Sequence, residues 1–277
     1  MKISHEVPRC LLTAAPTEFN DYDYCLPHLL DEDEDYKAYF YEAKKNGRYI
    51  IMDNSLHELG EAYKWDRLHY WIKEIEPNEF IVPDVWMNYA QTHAQAKYWI
   101  QFNFPEDTIP VAVVQGKSEA EAVMCFNNLK TLGYKKIAIS YGASWYNDEF
   151  PHANKDLGKA LGRLKFISTL YKNKYVDRFD RIHLLGCAVP QEFGWYQGFD
   201  FIESIDTSNP IMAALDGTEY SDNGLLVKPK SNMNKNFDMY FDELDYHLIL
   251  KNTRKFRKIN GLKPHNHKIP GKLNKSL

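Results

Sequence analysis

Six apolar runs in this chain each end in a residue able to do chemistry or to let the backbone approach a ligand. They are Arg48-Tyr49-Ile50-Ile51-Met52-Asp53, Phe80-Ile81-Val82-Pro83-Asp84, Val111-Ala112-Val113-Val114-Gln115-Gly116, the stretch ending at Tyr141-Gly142, Leu184-Leu185-Gly186-Cys187, and Phe201-Ile202-Glu203-Ser204-Ile205-Asp206. Two of the ends, Asp53 and Asp206, are carboxylates delivered by different strands into polar turns, Asn54-Ser55 and Thr207-Ser208-Asn209. Such a pair suits reactions at the anomeric carbon of a sugar. One carboxylate attacks the carbon and carries the glycosyl group, while the other moves protons for the leaving and entering groups. Proximity raises the proton affinity of one member and so divides the roles. A strand-end Asp is equally at home as a helix N-cap. Asp84, a third strand-end carboxylate, weighs against that reading for the pair, although Asp84 itself also fits a support for the turn after Pro83.

The segments between these runs carry helical periodicity. Trp65, Leu68, Ile72 and Ile75 predict a helix over residues 61–76 that Pro77 stops, and an Ala- and Gln-rich helix follows over 88–101. Ser118-Glu119-Ala120-Glu121 is a capping-box pattern opening a helix with Ala122, Cys125, Phe126 and Leu129 on one face. Leu157, Leu161, Leu164 and Ile167 stripe a helix over 154–172, and Phe237, Tyr240, Phe241, Leu244 and Leu248 predict a last amphipathic one. A first strand is expected at Cys10-Leu11-Leu12-Thr13-Ala14-Ala15 and a weak eighth at Leu225-Leu226-Val227. Strands alternating with helices, with reactive groups at the strand ends, predict an α/β fold: a TIM-like (β/α)8 barrel with its site at one rim. The barrel is expected over 1–250 as a single domain, followed by a basic C-terminal helix and tail over 251–277.

Charge is distributed unevenly. The net value of −4 hides nine Lys or Arg and no Asp or Glu from Lys251 onward, which leaves 25 basic against 38 acidic residues in the remainder. A basic end on an acidic body predicts a local contact with a polyanion through Arg254, Lys255, Arg257 and Lys258, with Lys228 and Lys230 on the rim. No apolar run approaches the ~20 residues of a membrane span, and residues 1–9 lack the apolar core of a signal peptide. The four cysteines (Cys10, Cys25, Cys125, Cys187) are scattered, which speaks against a disulfide framework or a cysteine-rich zinc site and for a reducing cytoplasm.

Other apparent motifs fail on spacing. Gly116-Lys117-Ser118 ends like a phosphate loop, but Val111 stands where its leading glycine belongs, and no GxGxxG occurs. His5-Glu6 with Pro8 and Cys10 lacks the second cysteine of a zinc deaminase, and His265-Asn266-His267 has no carboxylate partner nearby in sequence.

In order and at strand ends, Asp53-Asn54-Ser55, Asp84, Val114-Gln115-Gly116, Leu184-Leu185-Gly186-Cys187-Ala188-Val189-Pro190 and Ser204-Ile205-Asp206-Thr207-Ser208-Asn209-Pro210 resemble the tRNA-guanine transglycosylase superfamily. The resemblance spans roughly residues 10–215. It implies exchange of a guanine for a 7-deazaguanine without cutting the polynucleotide, with Asp206 as nucleophile at C1′ and Asp53 as general acid/base. It further implies Asp84 and Gln115 as readers of a guanine-type edge, Gly116 and Gly186 as points of close backbone approach, and Asn54 and Ser55 as aids in holding the base. The tRNA enzymes have a serine and glycines after the first Asp and a cysteine-rich zinc site; this chain has Asn54-Ser55-Leu56-His57 and no such cysteines. A compact zinc-less chain with Pro83-Asp84-Val85-Trp86 and a basic tail is most similar to the phage-type DNA-guanine transglycosylases of the DpdA group. That implies DNA, with an extruded or single-stranded guanine, and a free 7-deazaguanine base as partners, no cofactor or metal, and action in a cytoplasm (the host's, for a phage protein) that shields phage DNA from restriction. Trp86, Tyr141, Trp145 and Trp195 are candidates for stacking on bases. A zinc-less tRNA enzyme, a two-carboxylate N-glycoside hydrolase and a non-catalytic nucleic-acid-binding barrel remain open alternatives.

Overall fold

A computed structural model describes residues 1–265. Eight parallel strands form one sheet: β1 (Lys2–Ser4), β2 (Asp23–Cys25), β3 (Ile50–Met52), β4 (Glu79–Ile81), β5 (Ile109–Val114), β6 (Lys136–Ser140), β7 (Ile182–Leu185) and β8 (Ile202–Asp206). Hydrogen-bonded neighbours run β1-β8-β7-β6-β5-β4-β3-β2. The remaining seam, between β1 and β2, is bridged where the Asp21 amide donates to the Ile3 carbonyl (2.8 Å) and the Asp21 carboxylate accepts from the Ile3 amide (3.0 Å). Helices alternate with the strands, so the chain is a nearly closed (β/α)8 barrel.

Strands such as β3 and β5 read as apolar runs because both faces are covered, one by the barrel interior and one by the helices. Ile50, Ile51, Met52, Val111, Ala112 and Ile205 are all buried. Helix starts follow local capping chemistry. Asn88 accepts from the Gln91 amide, Ser118 from the Glu121 amide, and Asn154 from the amides of Asp156 and Leu157. The helices Trp65–Ile75, Tyr89–Trp99, Glu119–Thr131 and Lys155–Lys172 thus occupy the four periodic stretches. Among the described residues no helix is long and apolar enough to cross a membrane.

Four expectations need correction. Residues 10–15 are not a strand: a 3-10 turn, Arg9–Leu11, leads into the helix Ala15–Glu18, where Pro16 suits the first turn. The barrel is instead closed by the three-residue β1 at the extreme N-terminus, paired with β8. Leu225-Leu226-Val227 is no strand either, since Leu226 and Val227 stand exposed on a loop. The last helix begins at Tyr246, capped by Asp245, because the preceding apolar residues fall into a short helix (Met233–Asn236) and a 3-10 turn (Phe241–Glu243). That helix runs to Ile259, straight through the expected boundary at residue 250. It buries Ile249, Asn252, Thr253, Phe256 and Arg257 against the barrel and belongs to it.

Candidate active site

The carboxyl-terminal ends of the strands open into a cavity of about 270 Å³, at the rim where barrel sites form. Asp53, Asn54, Asp84, Gln115, Gly186 and Asp206 all line it, so Asp53 and Asp206, three strands apart across the seam, face one space.

The two aspartates are held differently. Asp206, the last residue of β8, accepts through Oδ1 from His183 Nε2 (3.0 Å) and from the Gly186 amide (3.4 Å), while Oδ2 has no hydrogen-bond partner among the described residues. Asp53 follows β3 and accepts from the Tyr24 hydroxyl (2.9 Å) and the Ser55 amide (3.1 Å). Burial, and next the charge of Asp206, push its carboxyl up to about 7, against the pull of those hydrogen bonds. Near neutral pH Asp53 therefore both holds and releases a proton.

Beside them, Asp84 accepts from Asn54 Nδ2 (2.6 Å) and Gln115 Nε2 (2.7 Å), and burial raises its carboxyl to about 6. Gln115 Oε1 in turn accepts from the Met87 amide (2.8 Å), which fixes the side-chain amide's orientation. Ser55 (φ 57°) and Met87 (φ 52°), whose amides donate to Asp53 and Gln115, both sit in left-handed backbone. Non-glycine residues held there store strain, which clusters at functional sites.

Several residues outside the sequence reading also belong here. Glu6, after β1, and Glu58, in the short helix Leu56–Leu59, line the cavity. Burial and then the charge of Asp53 push Glu58 up to about 8; burial and then the charge of Glu58 raise Glu6 well above the usual carboxylate range. Glu6 gives little signal in sequence, because Lys2-Ile3-Ser4-His5-Glu6 holds a single apolar residue and lacks the apolar run that marks the other strand ends. His183 does carry a signal, as a polar residue inside the apolar run Ile182-His183-Leu184-Leu185. The segment carrying Leu225-Leu226-Val227 becomes a strap across the mouth. Asn154 Nδ2 holds the Leu226 carbonyl (2.6 Å), and Asp216 accepts from the Lys230 (2.6 Å) and Ser231 (3.1 Å) amides. Lys228, Asn232 and Asn234 of this strap line the cavity, and Lys230 is exposed beside it.

Some expected site residues have other work. Ser55 is fully buried outside the cavity lining: it braces Asp53 with its amide and binds His28 Nδ1 with its hydroxyl (2.8 Å). Gly116 does not line the cavity; a Cβ there would lie 2.9 Å from the Ala122 amide nitrogen, so the glycine seats the next helix. Gly186 (φ 59°) does line it, but the group closest to its missing Cβ, at 2.5 Å, is the Tyr141 ring. That ring carries Lys228 Nζ 4.6 Å from its centroid and Lys159 Nζ at 5.9 Å. Trp86 is half exposed at the lip and lines the cavity with Tyr141, whereas Trp145 is buried edge-on against Phe166, and Trp195 packs beside a small cluster of Ala160, Ala188 and Val189.

The C-terminal cations lie elsewhere. Arg257 is buried, donating to the Phe19 carbonyl (2.9 Å) and Asp21 (2.8 Å), and so ties the last helix to the chain entering β2; it is a latch, not a phosphate contact. Lys255 is engaged by Glu219 (3.0 Å) and the Tyr220 carbonyl (2.6 Å). Arg257, Gly261 and Lys263 share a depression with Lys2, Arg48 and Ile202, residues at the amino-terminal ends of strands, so this helix ends on the face away from the mouth. Arg254 and Lys258 are exposed on the same helix. Lys268, Lys272 and Lys275 lie outside the described residues, as do Asn266 and His267. Among the described residues, no group of three or more His, Cys, Asp or Glu is arranged to hold a metal ion.

No protein-family model and no curated protein matches the chain.

Proposed function

We propose that the protein is a nucleobase transglycosylase of the DNA-guanine type, exchanging a guanine in DNA for a 7-deazaguanine base. The observation that carries this reading is the unequal pair in one cavity: Asp206, with a free Oδ2, and Asp53, whose proton is exchangeable near pH 7.

Asp206 Oδ2 attacks C1′ of the nucleoside. The C1′–N9 bond breaks with its electron pair going to guanine, and the Asp53 proton neutralises the departing base. Asp53 is now a carboxylate beside a glycosyl ester. The incoming 7-deazaguanine gives its N9 proton to Asp53, and N9 displaces Asp206 from C1′, restoring both aspartates and the polynucleotide. Asp84 and Gln115 supply acceptor and donor positions for the Watson–Crick edge of either base, with Asn54 holding Asp84 in place. Their mutual hydrogen bonds preorganise this edge, so little side-chain freedom remains to be lost on binding.

A base stacked in a duplex cannot reach such a cavity, so the substrate is an extruded or single-stranded guanine. Trp86 and Tyr141 at the lip offer aromatic faces for the base or its neighbours. Lys228, which lines the cavity, and exposed Lys230 on the same strap support this reading as cations for the adjacent phosphates. The test is mass spectrometry of nucleosides from DNA, and separately tRNA, incubated with the protein and candidate 7-deazaguanines. Incorporation into DNA supports the reading, incorporation into tRNA alone converts it to the tRNA reaction, and free sugar ends without a new base would identify a hydrolase.

A further inference from the structure

Behind Asp206 a line of hydrogen bonds runs down the barrel interior through residues that the exchange reaction does not use. His183 Nε2 lies 3.0 Å from Asp206 Oδ1, and His183 Nδ1 lies 2.9 Å from Ser204 Oγ. Ser204 Oγ accepts from Lys136 Nζ at 2.8 Å, and Lys136 Nζ is also paired with both oxygens of Glu79 (3.0 and 2.7 Å). All of these side chains are buried, and they come from β4, β6, β7 and β8.

The direction of every proton follows from what each group is able to do. A lysine ammonium only donates, so Ser204 Oγ is the acceptor in that contact. The serine's own proton then needs an acceptor, and among the described residues the only other group within hydrogen-bond distance of the hydroxyl is His183 Nδ1. Nδ1 is accordingly the unprotonated ring nitrogen, and Nε2 carries the hydrogen and donates it to Asp206. The opposite tautomer would set the Nε2 lone pair against a carboxylate oxygen. It would also leave Ser204 facing two donors with its buried proton unmatched, and a buried donor without an acceptor is destabilising. An imidazolium would satisfy Asp206 but strand the same serine proton.

We propose that Lys136 and Ser204 are positioning residues that fix His183 as its Nε2–H tautomer, so that His183 caps Asp206 Oδ1 and leaves Oδ2 as the attacking oxygen. The inference rests on the reading of Asp206 as nucleophile and deepens it. The same imidazole is stacked on Tyr24 (centroids 6.1 Å apart, rings inclined by 15°), and the Tyr24 hydroxyl donates to Asp53. One buried aromatic pair therefore sets the orientation of both aspartates, and the lysine–serine chain beneath it determines which way one of them is held.

The experiment has two readouts. Nitrogen-15 NMR of the His183 ring in the full-length wild-type protein at neutral pH is expected to show a neutral ring protonated at Nε2, and Ser204→Ala to shift it towards a tautomer mixture. In base exchange, Ser204→Ala is expected to lower kcat roughly a hundred-fold, the scale of a misoriented reacting group, with KM within about two-fold, and Ser204→Thr to recover most of the loss by restoring the hydroxyl. A wild-type ring protonated at Nδ1, or doubly protonated, overturns the proposal. So does a Ser204→Ala protein with wild-type kcat. Absence of exchange by the wild type would sink the transglycosylase reading, and the ring spectrum would still decide the tautomer on its own.

Discussion

The two ends of the barrel use the same residue types in opposite ways. At the amino-terminal end the carboxylates on or beside the strands, buried Glu79 and Asp23 among them, have cations. Glu79 is bound by Lys136 and Arg181, Asp23 by Arg48, and Asp21 by Arg257, with half-buried Glu203 shared between Lys136 and Arg181. At the mouth Glu6, Asp53, Glu58, Asp84 and Asp206 converge on one cavity, and none of the five is paired with a Lys or Arg among the described residues. Paired charges hold strands in register and leave little chemistry available. Burial, and then neighbouring carboxylates, raise the proton affinity of Glu6, Asp53 and Glu58, and burial alone raises that of Asp84, which costs stability and makes protons exchangeable near neutral pH.

That contrast can be broken from either side. The largest expected effect is Asp206→Asn, which should abolish guanine release by at least about three orders of magnitude; release of labelled guanine from DNA measures it, and nucleic-acid binding should survive. Asp53→Asn should slow exchange by roughly 10²–10⁴-fold, the range of a lost general acid/base. At the opposite end, Glu79→Gln leaves the buried Lys136 ammonium without its main partner and should destabilise the fold by about 3–5 kcal/mol in denaturant unfolding.

Stability against pH sharpens the comparison further. The Asp53 carboxyl is raised to about 7 on folding, so the native chain binds that proton more tightly than the unfolded one. Its contribution to stability is present while the proton is on and is lost as pH rises from the ordinary carboxylate range through about 7. Asp53→Asn should therefore exchange bases more slowly yet melt a few degrees higher than wild type at pH 8, with the difference shrinking towards pH 4. A melting point that does not rise at pH 8 would mean that Asp53 is not strained by its surroundings. The smallest effects concern nucleic-acid contacts. Lys228→Ala and Lys230→Ala should each reduce the salt slope of DNA binding by about one, whereas Arg254→Ala and Lys258→Ala, on the helix that ends at the far face, should leave it unchanged.

The barrel and the core of its site were legible because the relevant signals are local. Strands covered on both faces spell largely apolar runs, so a polar residue at the end of such a run stands out; Asp53, Asp84, Gln115 and Asp206 were visible for that reason. Ser55 and Gly116 were correctly placed at strand ends, but direction at a turn depends on backbone angles and the next helix, and both serve neighbours rather than the cavity. Arg257, within the basic C-terminal run, was illegible for a related reason. Charge along a helix gives no indication of which residue turns inward, and Arg257 turns inward because Asp21 and the Phe19 carbonyl await it at the start of β2.

Taken alone, the amino-acid order determined the alternating elements, the capped helix starts and the reactive groups that strands deliver to one rim, all of which follow from patterns a few residues long. Only tertiary structure decided that three N-terminal residues close the barrel, that Glu6 and Glu58 crowd the aspartates, and that His183, Ser204 and Lys136 line up behind Asp206. Those facts depend on pairings between residues tens to hundreds of positions apart. Such pairings are set by the stagger and closure of the whole sheet, and no short stretch of sequence encodes them.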